Sequence, residues 1–171
     1  TSRISVKYRF DMAIGSHHRT KGETNEWLTP PYIIDALGPF DLDPCAAVNQ
    51  PWPTASKHYT INDDGLSKKW EGFVWCNPPY GLEAAKWLER CADHKRCLAL
   101  IFARTETRMF FEQVWLRAYA ILFIKGRLWF HYPNGERAGH NSGGPSCIIA
   151  YDEYSYLKLL EAEMQGKIPG K

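Results

Sequence analysis

Several features that would assign this chain to a particular class of protein are missing from its sequence. No apolar stretch approaches the roughly 20 residues that a membrane-spanning helix requires, and the first residues lack the pattern of a signal peptide. The formal net charge is only +2, which by itself does not indicate a nucleic-acid-binding protein. We therefore expect a cytoplasmic protein without a membrane segment. Any contact with a nucleic acid must come from local groups of basic residues.

The cysteines also lack an ordered pattern. The chain has five of them at irregular spacing and no Cys-x-x-Cys pair, which is typical of free thiols in a reducing compartment. One group of residues to consider as zinc ligands is Cys91, His94 and Cys97. They would share a helix face only if a helix continued to Cys97, where an apolar strand begins, so we predict no metal site.

The composition is that of a globular domain. Of 171 residues, 44% are hydrophobic and 23% are charged, and this length suffices to bury a core. We predict a polar N-terminal arm over residues 1–26, with a short strand at 4–10, and a single domain over 27–171.

Hydrophobic periodicity predicts strands that alternate with helices. The predicted helices span 30–37, 82–93, 109–116 and 153–165, the first capped by Thr29 and starting at Pro30. The predicted strands span 40–43, 57–61, 73–76, 98–103, 118–124 and 146–151. A further strand at 127–132 is expected to form a hairpin with 118–124, followed by a glycine-rich loop over 133–145. This alternation favours an α/β fold with a largely parallel sheet, whose ligands lie at the carboxyl ends of the strands.

The most informative segment is Asn77, Pro78, Pro79 and Tyr80, directly after a short apolar run. Two successive prolines cannot continue a sheet ladder, so the chain must leave its strand in a stiff turn. The amide oxygen of Asn77 and the carbonyl of Pro78 can accept two hydrogen bonds, and Tyr80 offers an aromatic face. These groups suit a planar amine such as the exocyclic amine of adenine. The alternative is an ordinary Asn-Pro turn that ends a strand.

This tetrapeptide resembles the catalytic motif of amino-methyltransferases that use S-adenosylmethionine. Four other segments are similar to those of the phage-type DNA adenine methyltransferase (Dam) family. They are 26–30 (EWLTP), 40–46 (FDLDPCA), 64–66 (DGL) and 104–107 (RTET). The resemblance as a whole runs from about residue 25 to residue 151. It implies a Rossmann-like S-adenosylmethionine-dependent methyltransferase fold with a mostly parallel sheet and an antiparallel C-terminal strand. It also implies a phage or prophage enzyme that methylates double-stranded DNA at adenine N6, with S-adenosylmethionine as methyl donor and no metal.

Carboxylates at strand ends are the first candidates for cofactor binding. They can accept hydrogen bonds from the ammonium group or the ribose hydroxyls of S-adenosylmethionine. Asp41 and Asp43 alternate along one predicted strand and are expected to point the same way. The alternative for Asp43 is a turn or helix-capping aspartate.

The resemblance supplies the remaining cofactor residues. It implies that Thr29 and Pro30 hold the methionine end, that Asp64 accepts from the cofactor's adenine amine, and that Leu66 packs against that ring. From the residues alone, Asp64 and its neighbours could equally form a plain turn. The implied set also contains Trp27, Pro44, Cys45 and Gly65. The sequence departs from many methyltransferases in having no Gly-x-Gly loop.

Basic residues after the catalytic turn are the candidates for DNA binding. Arg and Lys side chains can contact phosphates, while Arg137 and Asn141 in the glycine-rich loop can contact base edges. Each could instead be a solvated charge, and the loop could make no base contact. The predicted DNA-binding set is Arg104, Arg108, Lys125, Arg127, Arg137 and Asn141. Alternative functions are methylation of RNA adenine or protein glutamine, or non-catalytic nucleic-acid binding on the same fold.

Overall fold

Seven strands found within residues 26–170 pair into one sheet, and the strands at its centre are apolar. The computed structural model describes residues 26–170, so the predicted strand at 4–10 and nearly all of the predicted arm lie outside the described residues. In chain order the strands are β1 (Leu42–Asp43), β2 (Lys57–His58), β3 (Val74–Cys76), β4 (Cys97–Phe102), β5 (Ala120–Ile124), β6 (Ser146–Ala150) and β7 (Gly166–Lys167). Their order across the sheet is β2-β1-β3-β4-β6-β5-β7.

The sheet contains both parallel and antiparallel pairs of strands, as predicted for this α/β fold. Strands β2, β1, β3 and β4 pair in parallel. Strand β6 lies between β4 and β5 and is antiparallel to both, and β7 pairs antiparallel with β5 on the edge. The predicted reversal of direction near the C-terminus is therefore present, and the sheet is consistent with a methyltransferase-like α/β fold.

Helices cover both faces of this sheet. They are α1 (Pro31–Leu37), α2 (Ala84–His94), the short α3 (Arg108–Phe110) continued by a π-helical turn (Phe111–Trp115), and α4 (Glu153–Glu161). The carboxylate of Asp152 begins α4 by accepting a hydrogen bond from the Ser155 N–H at 2.8 Å. No helix within residues 26–170 combines the length and the apolar character required to cross a membrane.

Strand β4 contributes to both sides of the core. Cys97, Ala99 and Ile101 pack with buried residues of α2 and the π-helical turn, whereas Leu98 and Leu100 pack with α1 and α4. Side chains alternate between the faces of a strand, so a strand covered on both faces must be apolar at nearly every position. This requirement explains the continuous apolar run at 97–102.

Two local predictions require correction. Thr29 does not cap α1, because Pro30 occupies the capping position and Pro31 is the first helical residue. Residues 127–132 do not form a strand beside β5; His131 instead makes isolated bridges to Leu28 and Arg137.

The reason for the missing hairpin lies near the C-terminus. The predicted helix at 153–165 ends at Glu161, and the chain returns to pair along β5 as β7. A Cβ atom on Gly166 would lie 2.4 Å from the Phe123 carbonyl oxygen, so glycine permits this close pairing. With β6 on its other side, the end of β5 at Phe123 and Ile124, where a hairpin with residues 127–132 would begin, is already paired.

Candidate active site

The carboxyl ends of β1 and β3 meet at one edge of the sheet. Leu42 is in register with Val74, so the residues that follow Asp43 lie beside the turn that follows Cys76. A cavity of about 510 Å³ opens at this edge. Eleven of the predicted site residues line it: Trp27, Thr29, Asp43, Pro44, Cys45, Asp64, Gly65, Asn77, Pro78, Pro79 and Tyr80.

Asn77 is fixed by one half of its amide group and leaves the other half unpaired. Its Nδ2 atom donates a hydrogen bond to the Trp27 carbonyl oxygen at 3.1 Å. Its Oδ1 atom is buried and has no hydrogen-bond partner among the described residues. An unsatisfied buried acceptor costs roughly 1–3 kcal/mol. Because this acceptor belongs to a cavity-lining residue, a ligand that donates a hydrogen bond can offset this cost.

Cys45 connects the two strand ends. Its thiol donates to the Asn77 carbonyl oxygen at 3.3 Å, and its Sγ atom lies 3.7 Å from that of Cys76. The contact with Cys76 and burial raise the pKa of the Cys45 thiol well above its usual range. The thiol therefore stays neutral and remains a hydrogen-bond donor to the turn at 77–80.

Asp43 is a buried carboxylate with polar neighbours on both oxygens. It is only 4% exposed. Its Oδ1 atom accepts from the Cys45 N–H at 3.1 Å, and its Oδ2 atom accepts from the Thr54 hydroxyl at 2.5 Å. Burial raises the pKa of Asp43 to about 6, while the hydrogen bonds from Thr54 and Cys45 lower it. None of the ion pairs found in residues 26–170 includes Asp43, so its charge is available to a cationic ligand.

The turn at Asp64 and Gly65 forms another wall of the cavity. A Cβ atom on Gly65 would lie 1.9 Å from the Pro44 carbonyl oxygen, so this close approach requires glycine. The Trp70 indole N–H donates to the Gly65 carbonyl oxygen at 2.8 Å and holds the turn in place. The predicted DGL segment thus lies against the end of β1, with Asp64 lining the cavity.

Tyr80 lines the cavity and contacts two further aromatic rings. It stacks on Phe102, with ring centroids 4.6 Å apart and planes inclined by 11°, and it meets Phe130 edge-on at 6.4 Å. About 37% of Tyr80 remains exposed. Desolvation raises the pKa of its hydroxyl, so Tyr80 is a neutral phenol at physiological pH. Phe102 covers one face of the ring.

Three of the predicted cofactor residues do not line the cavity: Pro30, Asp41 and Leu66. The expectation that Asp41 points the same way as Asp43 is not supported. Strand β1 begins only at Leu42, and the Asp41 carboxylate accepts from the Phe73 N–H at 2.6 Å. Asp41 therefore stabilises the connection to β3 rather than the cavity.

The predicted DNA-binding residues are exposed and lie outside the cavity lining. Arg108 pairs with Glu112 at 2.7 Å. The Arg137 guanidinium lies 4.6 Å from the centroid of the Trp129 ring. The Arg104 guanidinium lies 5.9 Å from the centroid of Phe102, the ring that stacks on Tyr80. Arg104 thus contacts the ring that stacks on Tyr80, whereas no contact found among the described residues connects Lys125, Arg127 or Asn141 to Tyr80.

Several cavity residues were not identified from the sequence. Thr54 and Gln50 reach Asp43 through a chain of hydrogen bonds, and Trp52 and Trp87 supply apolar walls. The only local signal was the loop itself, which carries prolines at 51 and 53. Nothing in the spacing of these residues indicates that the loop folds back onto Asp43.

Comparison with known proteins identifies the family. Residues 16–157 match the sequence model of the DNA N-6-adenine-methyltransferase (Dam) family. The chain belongs to this family. No curated protein and no solved structure gave a significant match. The Dam family match confirms the resemblance that the motifs indicated.

The cavity fits the methyl donor that the Dam family implies. S-adenosylmethionine carries a sulfonium and an ammonium, and Asp43 is a buried carboxylate without an ion-pair partner in the described chain. Asp64 and the tryptophan rings of the walls can accommodate the nucleoside part. Residues 26–170 contain no group of three or more His, Cys, Asp or Glu side chains that could hold a metal ion.

The raised pKa of Asp43 predicts that its carboxylate lowers the free energy of unfolding at neutral pH. A carboxyl group with a higher pKa in the folded state than in the unfolded state binds protons more tightly when folded, so its contribution to stability is lost as pH rises from about 4 to 6. Asp43→Asn should therefore raise the free energy of unfolding by about 1–3 kcal/mol at pH 7.5. The gain should vanish near pH 3.5 in urea unfolding measurements.

Asp63→Asn is the matched control. Hydrogen bonds from Thr60 lower the pKa of this exposed carboxyl, so the variant should show no gain at neutral pH. A loss of stability for Asp43→Asn at pH 7.5 would instead mean that the carboxylate is needed to hold the fold.

Proposed function

We propose that this protein transfers a methyl group from S-adenosylmethionine to the exocyclic N6 amine of adenine in double-stranded DNA. The main support is the buried Oδ1 atom of Asn77, which has no hydrogen-bond partner among residues 26–170. Asn77 lines the same cavity as Asp43, whose carboxylate takes part in none of the ion pairs found in those residues. One group is suited to an amine donor and the other to a cationic cofactor. Membership of the Dam family supports both the substrate and the reaction.

The catalytic turn acts on the amine nitrogen. S-adenosylmethionine, when bound, supplies a methyl group that its sulfonium already activates. The adenine amine is a weak nucleophile because its lone pair is delocalised into the ring. Hydrogen bonds from its two N–H groups to Asn77 Oδ1 and the Pro78 carbonyl favour a tetrahedral nitrogen and stabilise the positive charge that develops there. Trp27 orients the amide by accepting from Asn77 Nδ2.

Tyr80 contributes its ring rather than its hydroxyl. Its raised pKa keeps it protonated, so it does not act as a base. An adenine within a duplex must leave the base stack to enter the cavity. The side of Tyr80 that Phe102 leaves uncovered is suited to stack on the extruded base.

The walls of the cavity exclude water from the reaction. Trp27, Trp52 and Trp87 line it with large apolar surfaces. Removing water strengthens the hydrogen bonds at Asn77 and holds the reactants in a fixed orientation. Side chains of the turn and the walls therefore supply alignment and electrostatic stabilisation.

The first test removes the acceptor at Asn77. Asn77→Ala should lower the turnover number by at least about a hundredfold, the scale of losing one transition-state hydrogen bond. The affinity for S-adenosylmethionine should change little, because Asp43 and the walls are retained. Methyl transfer to duplex DNA and calorimetric cofactor binding measure the two effects.

Asn62→Ala is a suitable control, since Asn62 is exposed and absent from the cavity lining. Near-normal turnover for Asn77→Ala would contradict the mechanism. Methylation of RNA or protein by the parent protein, with duplex DNA left unmodified, would redirect the substrate assignment.

The second test separates stacking from hydroxyl chemistry at Tyr80. Tyr80→Phe should retain much of the activity, whereas Tyr80→Ala should lose most of it, because stacking contributes about 1–3 kcal/mol per base. Steady-state kinetics on a duplex substrate measure the difference. Equal losses in both variants would assign the role to the hydroxyl group.

The third test concerns the glycine-rich loop over 133–145. Arg137→Ala and Asn141→Ala should relax the preferred target sequence by about 1–3 kcal/mol at individual positions. Lys125→Ala should instead weaken all sites alike and reduce the salt dependence of binding, as expected for a phosphate contact. Modified-base sequencing of DNA from expressing cells gives the target sequence. An unchanged target in both loop variants would exclude base contacts by this loop.

A further inference from the structure

Thr54 lies in a buried chain of hydrogen bonds that ends at Asp43. The residue is only 7% exposed. Its hydroxyl donates to Asp43 Oδ2 at 2.5 Å and accepts from Gln50 Nε2 at 3.3 Å. A hydroxyl has one hydrogen to donate, so the hydrogen bond from Gln50 leaves that hydrogen directed at the carboxylate.

The backbone at Thr54 is held from the opposite side by His58. The Nε2 atom of His58 accepts from the backbone N–H groups of Thr54 and Ala55, each at 3.2 Å. A ring nitrogen that accepts two hydrogen bonds must be unprotonated, and burial lowers the pKa of His58 accordingly. Since His58 is in register with Asp43 across β1 and β2, the sheet places this loop directly beside the carboxylate.

We propose that Thr54 is a positioning residue for the cofactor: its hydroxyl holds the Asp43 carboxylate in the orientation and charge state that bind S-adenosylmethionine. This inference rests on the proposed function, in which Asp43 faces the cationic cofactor. Thr54 and Gln50 both line the cavity, so the hydrogen-bond chain and the binding site are continuous.

The surroundings of Asp43 make the Thr54 hydroxyl important for keeping the carboxylate charged. The groups that face the carboxylate are the Thr54 hydroxyl, the N–H and thiol of Cys45, and the thiol of Cys76. The contact with Cys76 and burial raise the pKa of the Cys45 thiol, and burial raises the pKa of the Cys76 thiol, so neither is charged at neutral pH. His58 beyond Thr54 is neutral as well. Hydrogen bonds from Thr54 and Cys45 therefore oppose the effect of burial on the pKa of Asp43.

The test measures how cofactor affinity depends on pH. Thr54→Val keeps the shape of the side chain but removes the donor, whereas Thr54→Ser keeps the donor. Calorimetry with S-adenosylmethionine from pH 5.5 to 8.5 should show that the affinity of the parent protein falls below about pH 6, where Asp43 becomes protonated. In Thr54→Val the fall should begin about one pH unit higher, which weakens binding about fivefold at pH 6 and approaches about tenfold at lower pH. Thr54→Ser should follow the parent profile.

Two results would overturn the inference. One is a Thr54→Val profile that coincides with that of the parent protein. The other is an equal loss in Thr54→Ser and Thr54→Val, which would assign the effect to the methyl group and its packing.

A separate readout does not require the cofactor. The pH dependence of the free energy of unfolding reports the pKa of Asp43 in the free protein. In the parent protein the contribution of Asp43 falls as pH rises from about 4 to 6; in Thr54→Val this fall should continue to about one pH unit higher, and in Thr54→Ser it should not. If the parent protein binds no S-adenosylmethionine at any pH, the proposed function fails, while the unfolding profiles still decide whether Thr54 controls Asp43.

Discussion

The parallel pairing of β1 with β3 is the constraint on which the candidate site depends. Because Leu42 is in register with Val74, the chain leaves both strands at the same edge of the sheet. The Cys45 thiol then reaches the Asn77 carbonyl oxygen at 3.3 Å, and Asp43 and Asn77 line one cavity. A shift of this register by one residue would turn the side chains of β3 to the opposite face and separate the two groups.

Both polar groups at this edge carry a cost that the rest of the fold must offset. Asn77 has a buried acceptor without a partner in the described chain, and Asp43 has a carboxylate that burial makes harder to ionise. The core on both faces of β4 supplies the compensating stability, because its side chains are fully or almost fully buried. A stable core that compensates for costly polar groups is expected of enzymes, because their binding groups are placed to contact a ligand and not to stabilise the fold.

The cavity is also joined to the segment that leads into the glycine-rich loop. Leu28 and His131 exchange backbone hydrogen bonds of 2.9 and 3.1 Å. Trp27 packs against Tyr132 with ring centroids 5.3 Å apart, and its carbonyl oxygen holds the Asn77 amide. The proposed DNA-contacting loop therefore starts from a strand-like contact with the cavity wall, which gives it a defined position relative to the turn at 77–80.

The sequence alone determined the features that depend on neighbouring residues: the apolar run of β4, the stiff turn at 77–80, the approximate helix positions and the family. Only the tertiary structure decided which distant segments meet. Thr54 reaches Asp43 because a loop folds back along β1, and Phe102 reaches Tyr80 because β4 ends beside the turn at 77–80. It also decided that Asp41 faces away and that β7 takes the edge predicted for residues 127–132. Where a strand begins and which segment pairs with its edge depend on partners far away in the sequence, and local periodicity carries no information about them.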